Sequence, residues 1–232
     1  PMFARWLAIS LGTLVILPLM AQTPPAYKGH GVDSVSAESL AKFAPKPLPP
    51  ELGAWIQQMM DIRAPGMGQV SPDGTKLYFG WSVTGTPQIW RLDGPNTFPV
   101  QLTGGDERTT LAGIFPDGQT LIVQRDRKGE ENPGLYLLPA SGGALTEIQH
   151  VKGVQTAYQF ISADGAWIYY TANDQKPDSY AVYRWNTKTG TKEALVTEPG
   201  LWQIADHKVD GTLLLAKATG ALTSEYWEWQ PG

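Results

Sequence analysis

The sequence predicts an all-β chain: a partial β-propeller of about three and a half four-stranded blades, preceded by a short helix and an N-terminal signal peptide. Three observations predict it. Asp-Gly recurs at Asp73-Gly74, Asp117-Gly118, Asp164-Gly165 and Asp210-Gly211, in steps of 44, 47 and 46 residues. An aromatic residue follows each of these aspartates at a matched distance of 17, 19, 19 and 17 residues, as Trp90, Tyr136, Tyr183 and Trp227. Apolar, strand-forming runs flank every turn. A period of about 40–50 residues with four strands per copy marks propeller blades. A β-sandwich needs no fixed period.

The N-terminal residues read differently. Arg5 gives one positive charge, and Trp6 to Leu17 is apolar with only Ser10, Gly12 and Thr13 interrupting. Small residues lead to Gln22. This is the form of a secretory signal peptide over 1–21, and the run is short for a helix of about 20 residues that spans a membrane. The expectation is export, to a periplasm or to the medium, with membrane contact only in transit. A retained anchor is the competing reading. Residues 22–50 form a Pro-rich arm. Pro45, Pro47, Pro49 and Pro50 hold its end extended, and Ser36 to Phe43 suits a short helix.

A lead-in helix is predicted over 51–61. Pro50 and Glu51 suit its first turn. Leu52, Trp55, Ile56, Met59 and Met60 fall on one apolar face, expected to pack on the propeller.

The propeller occupies 62–232, with blades at about 66–104, 105–151, 152–199 and 200–232. In the turn Ser71-Pro72-Asp73-Gly74, proline presets φ, Asp suits the next position, and Gly takes the positive φ that follows. The turn joins two antiparallel strands with a bulge. The second strands hold Leu77-Tyr78-Phe79, Leu121-Ile122-Val123, Trp167-Ile168-Tyr169-Tyr170 and Leu213-Leu214-Leu215. The third strands carry the matched aromatics. Fourth strands are expected at 99–102, 145–148 and 192–196. The last unit shows none, which leads to the expectation that the chain is an N-terminal fragment of a longer protein.

Composition excludes some functions. A net charge of −4 and no basic stripe argue against a nucleic-acid partner. With no cysteine there is neither a disulfide framework nor a thiolate metal site. The turn aspartates supply one carboxylate each, without the alternating ligands of a calcium loop, so turn formation explains them. No metal and no cofactor is expected.

The repeat resembles the WD40-like repeat of Tol-system periplasmic propellers and of the propeller in prolyl oligopeptidase family serine peptidases. Residues Gln124-Arg125-Asp126-Arg127-Lys128-Gly129-Glu130-Glu131-Asn132-Pro133-Gly134-Leu135-Tyr136-Leu137 are similar to the Asp-Arg-x-Gly-x-Glu stretch of bacterial members of that family. The lead-in helix followed by Val70-Ser71-Pro72-Asp73-Gly74 resembles the way those enzymes begin their propellers. The resemblance covers about residues 50–232. It implies a C-terminal α/β-hydrolase domain as partner, peptide substrates, and a propeller that covers and gates the active site. In aminopeptidase members a pair of propeller carboxylates holds the substrate's free amine, which makes Glu130 and Glu131 the candidate substrate-binding residues. Adjacent residues of a strand point different ways, and the alternative is a solvated loop in which Arg125, Asp126, Arg127 and Glu130 pair locally.

No catalytic residue is expected in this chain. The family's nucleophile elbow is Gly-x-Ser-x-Gly. The nearest string, Gly80-Trp81-Ser82-Val83-Thr84-Gly85, has its second glycine one place late. His30, His150 and His207 are scattered, so no triad can be built from them. The alternative function is a non-catalytic periplasmic propeller that binds protein or peptide partners.

Overall fold

The computed structural model describes residues 35–232, so the expected signal peptide and the first part of the arm lie outside the described residues. The chain divides into two compact units, the first ending at Gln57 and the second running from Gln58 to Gly232. The first contains α1 (Ala37–Phe43) and the greater part of α2 (Pro50–Met60). The Ser36 hydroxyl caps α1 by accepting the Ser39 N–H at 3.2 Å. α2 starts at Pro50, where a missing N–H deprives the helix of nothing. Leu52, Trp55, Ile56, Met59 and Met60 share one side of the helix, and all are exposed. Periodicity tells which side of a helix is apolar; it does not tell what meets that side.

The second unit is built from strands. The first sheet is β1 (Gly68–Val70), β2 (Leu77–Trp81), β3 (Gln88–Leu92) and β4 (Val100–Gln101), paired in that order. The second is β5 (Thr109–Ile114), β6 (Thr120–Arg125), β7 (Gly134–Pro139) and β8 (Thr146–Gln149). The third is β9 (Thr156–Ile161), β10 (Trp167–Lys176), β11 (Ser179–Asn186) and β12 (Lys192–Val196), and the fourth is β13 (Leu201–His207), β14 (Leu213–Gly220) and β15 (Thr223–Trp229). Within each sheet neighbouring strands run antiparallel. The third and fourth sheets are joined by one parallel pairing, Tyr180 with Leu201, so β11 forks between β12 and β13.

The four Asp-Gly turns share one geometry. The glycine N–H donates to the carbonyl three residues back in each, from Gly74 to Ser71, Gly118 to Phe115, Gly165 to Ser162 and Gly211 to Lys208. The glycine φ lies between 69° and 89°, a region that favours glycine. Each aspartate accepts the backbone N–H two residues on, at 3.1 Å from Thr75, 2.9 Å from Gln119, 3.0 Å from Ala166 and 2.9 Å from Thr212. This Asx bond is why aspartate recurs.

The matched aromatics occupy equivalent places. Trp90 lies opposite Phe79, Tyr136 opposite Val123, Tyr183 opposite Tyr170, and Trp227 opposite Leu215. Alternate residues of a strand serve opposite faces. Leu121 and Val123 therefore pack with Tyr78 and Ile89 of the first sheet, while Ile122 packs with Ile168 and Tyr170 of the third. Tyr169 and Val182 turn the other way, onto Trp202, Leu213 and Leu215 of the fourth. Inner sheets are thus covered on both faces, which is why their second strands read as unbroken apolar runs. Each side chain fully buried in this way contributes about 1.5–3 kcal/mol.

Candidate functional site

The connection from β6 to β7 carries the candidate carboxylates. Asp126 organises it: one carboxylate oxygen accepts the Arg127 N–H at 2.8 Å and the other the Glu131 N–H at 3.4 Å. The Glu130 N–H closes a turn onto the Arg127 carbonyl at 3.0 Å. Lys128 and Glu131 both sit at positive φ, 52° and 57°. Non-glycine residues held there cost on the order of 1 kcal/mol each, and such strain gathers where a side chain must be aimed. The Lys128 N–H is held by the Glu107 carboxylate at 2.6 Å.

The two adjacent glutamates diverge. Glu130 forms an ion pair with Arg127 at 3.5 Å. Glu131 lines a cavity of about 370 Å³ together with Arg108, Thr110, Gln124, Asp126 and Pro133. Asp126 is half-buried at this wall; Glu131 and Arg108 are exposed. The cavity therefore presents two carboxylates and one guanidinium. Carboxylates accept hydrogen bonds from an ammonium, and a guanidinium donates to a carbonyl or carboxylate.

The sequence expectation names Glu130 and Glu131; the structure sets Asp126 and Arg108 beside Glu131. Asp126 stood in the same stretch but was assigned to a local ion pair. Arg125 departs from that expectation too: its guanidinium donates to Thr109 Oγ1 at 3.0 Å and to the Gly104 carbonyl at 2.8 Å. Arg108 comes from the β4–β5 connection, and no spacing along the chain announces it.

The remaining candidates do not converge. Ser82 belongs to a turn closed by the Gly85 N–H on its carbonyl at 2.9 Å. His150 is buried and its Nδ1 is bonded to the Tyr136 hydroxyl. His207 lies flat on Phe160, ring centres 3.7 Å apart. His30 falls outside the described residues.

Three of the turn aspartates, Asp73, Asp164 and Asp210, are favoured as anions by hydrogen bonds within their own turns. Hydrogen bonds from the Ser71 hydroxyl, then from Thr75, bring the Asp73 carboxyl down to about 2. The Ser162 hydroxyl lowers Asp164 in the same way. Arg184 lies over Trp167 at 4.1 Å and pairs with Glu193 at 2.7 Å, so its charge is already answered.

Among the described residues, no helix is long and apolar enough to cross a membrane. No protein-family model matches the sequence, and no curated protein matches it. Solved structures do. A prolyl endopeptidase aligns over 84% of this chain and 32% of its own, with a TM-score of 0.61 and 13% identity. TolB from Acinetobacter baumannii aligns over 72% and 41%, at 0.54 and 17%. Oligopeptidase B from Leishmania major aligns over 72% and 24%, at 0.53 and 17%. The chain thus spans less than half the length of each. Identities this low establish the fold, a β-propeller architecture of the kind those proteins contain.

Proposed function

We propose that this chain is the propeller part of an exported serine peptidase similar to the prolyl oligopeptidase and dipeptidyl-aminopeptidase enzymes. In that protein it covers the active site of an α/β-hydrolase domain and restricts which peptides enter. The observation that carries the reading is the β6–β7 connection. A backbone strained at two non-glycine residues brings Glu131 to the same cavity wall as Asp126, with Arg108 beside them. That set of charges matches the end of a peptide, where an ammonium lies close to carbonyl oxygens. Of the two candidate glutamates, Glu131 takes the amine together with Asp126; Glu130 is committed to Arg127.

The second reading is a non-catalytic propeller that binds proteins or peptides. Its support is the TolB likeness, in which this chain accounts for a larger share of its neighbour, 41%, than in the peptidase case, 32%.

One experiment separates the two. The whole encoded protein is treated with a fluorophosphonate probe for reactive serines and assayed on free-amine dipeptide anilides. The peptidase reading expects labelling and turnover, with Glu131→Gln raising KM about tenfold or more while kcat changes little. Loss of one charge-assisted contact, about 1.5–3 kcal/mol, has that size. Absence of labelling overturns the peptidase reading. Labelling with an unchanged KM overturns the amine role alone.

A further inference from the structure

The cavity that holds Glu131 has a neighbour. A second cavity, of about 480 Å³, opens between the first and second sheets, and the two adjoin at Arg108 and Thr110, which line both. The Arg108 guanidinium enters no ion pair among the described residues. The connection that carries it is fixed from below. The buried Gln88 amide donates to the Gly105 and Glu107 carbonyls, both at 3.0 Å, and the Thr109 N–H donates to the Pro87 carbonyl at 2.9 Å.

A glycine opens the second cavity. Tyr78 and Gly80 lie two apart on β2 and serve the same face, and Tyr78 packs with Leu121 of the second sheet. Gly80 lines the cavity, and a Cβ added to it would meet no atom within 4 Å. Gly80 follows Phe79, which lies opposite Trp90; in the second sheet Gln124 follows Val123, which lies opposite Tyr136. Gln124 is therefore the counterpart of Gly80. Its amide crosses to the Thr156 carbonyl of the third sheet at 2.9 Å and fills its place. At Gly80 that place is open, and Met67, Trp81, Pro87 and Leu111 give the space apolar walls. The Trp81 ring is held by its N–H, donated to the Arg63 carbonyl at 2.5 Å, and by edge-on packing against Trp90, ring centres 5.3 Å apart.

We propose that the second cavity receives the side chain of the peptide residue whose amine Glu131 and Asp126 hold, and that Gly80 sets its size, so that phenylalanine and leucine are preferred there to alanine and glycine. In an amino-terminal residue the ammonium, the carbonyl and the side chain all leave one carbon. Two adjoining cavities with a guanidinium where they meet match that branching. The carboxylates accept from the ammonium, Arg108 donates to the carbonyl, and the apolar walls cover the side chain. The inference rests on the reading of the Glu131 cavity as an amine site.

The test measures calorimetric binding of X-Ala-(N-methyl)Ala amides, which resist cleavage after the second residue, to the whole encoded protein. X is glycine, alanine, leucine or phenylalanine. Affinity is expected to rise about tenfold or more from glycine to phenylalanine, and to be lost when the amine is acetylated. Gly80→Leu fills the cavity and should lower affinity for the phenylalanine peptide about tenfold, with the glycine peptide unchanged, which also shows that the variant is folded. Gly80→Ala, which meets no atom, should shift the series the same way by less. Glu131→Gln should weaken the whole series and leave the ratio of phenylalanine to glycine as it was. Equal affinities for glycine and phenylalanine overturn the side-chain site, and so does a phenylalanine preference that neither Gly80 variant changes. A series unaffected by Glu131→Gln, with the preference still lost in Gly80→Leu, overturns the amine reading and keeps the side-chain site. None of these outcomes depends on peptidase activity.

Discussion

The second strands of the third and fourth sheets begin from the same Asp-Gly turn and end up facing opposite ways. In the third, the Ser162 N–H reaches the Trp167 carbonyl five residues on. Ile168 and Tyr170 then face the second sheet, and Tyr169 the fourth. In the fourth, the Lys208 N–H reaches the Thr212 carbonyl, only four residues on. Leu213 and Leu215 take the buried face, and Leu214, which occupies the place of Ile168 when the turns are aligned, is 41% exposed. A shift of one residue exchanges the two faces of a strand. Loop length, and not the turn motif, decides which leucines form the core. The first strands of the second, third and fourth sheets all carry an irregularity at the equivalent place, so it is not the source of the difference.

The strongest way to break this difference is to insert one alanine between Gly211 and Thr212. With a five-residue return the leucines are driven to the wrong faces. The loss of two buried side chains is expected to cost about 3–6 kcal/mol, read as a lower urea midpoint and fast amide exchange in β14. A pair of truncations sharpens the same point. Leu215→Ala is expected to cost about 2–5 kcal/mol, and its neighbour Leu214→Ala under about 1 kcal/mol. Equal costs would show that the fourth sheet does not have the register described.

Alkali separates the two sheet interfaces. Tyr170 and Tyr183 occupy the places that Leu215 and Trp227 hold in the fourth sheet. Burial pushes the Tyr183 hydroxyl up to about 12 and raises Tyr170 as well. A folded value above the unfolded one means stability that is intact below about pH 10 and is lost as pH rises towards 12. Exchange at the interface of the second and third sheets should therefore quicken over that window, and Tyr170→Phe and Tyr183→Phe together should abolish the effect there. The smallest effect is expected at the turns. Ser162→Ala removes the bond to Asp164 at 2.6 Å and the one from the Trp167 N–H at 2.9 Å. The cost is about 1 kcal/mol, detected as a small change in the urea midpoint. The second sheet, with Phe115 at this place, already lacks both bonds.

What the sequence revealed follows from how local each cause is. The turns were legible because Asp, Gly and Ser act on backbone within five residues. The third strands were legible because the aromatics keep their distance from the turns. The face of Leu214 was not legible, since a missing residue in a loop leaves the motif intact. At the candidate site, Glu130 and Glu131 diverge because they lie in a loop and Glu131 sits at positive φ, which strand alternation does not describe. The meeting of Glu131 with Asp126 and Arg108 was not legible either, because it depends on how two connections distant in sequence come together.

The fork at Tyr180 has a consequence for how the molecule comes apart. The Tyr180 N–H donates to the Gly200 carbonyl at 2.9 Å, and the Gly200 N–H returns to Ser179 Oγ at 3.0 Å. Seven strands are thereby tied into one ladder, in contrast to the separate ladders of β1–β4 and β5–β8. The tie is a single residue pair, Tyr180 with Leu201, whereas β11 is held along its length by β10 and β12. A protease that opens β13 therefore frees the Tyr180 N–H and leaves β11 in its own sheet.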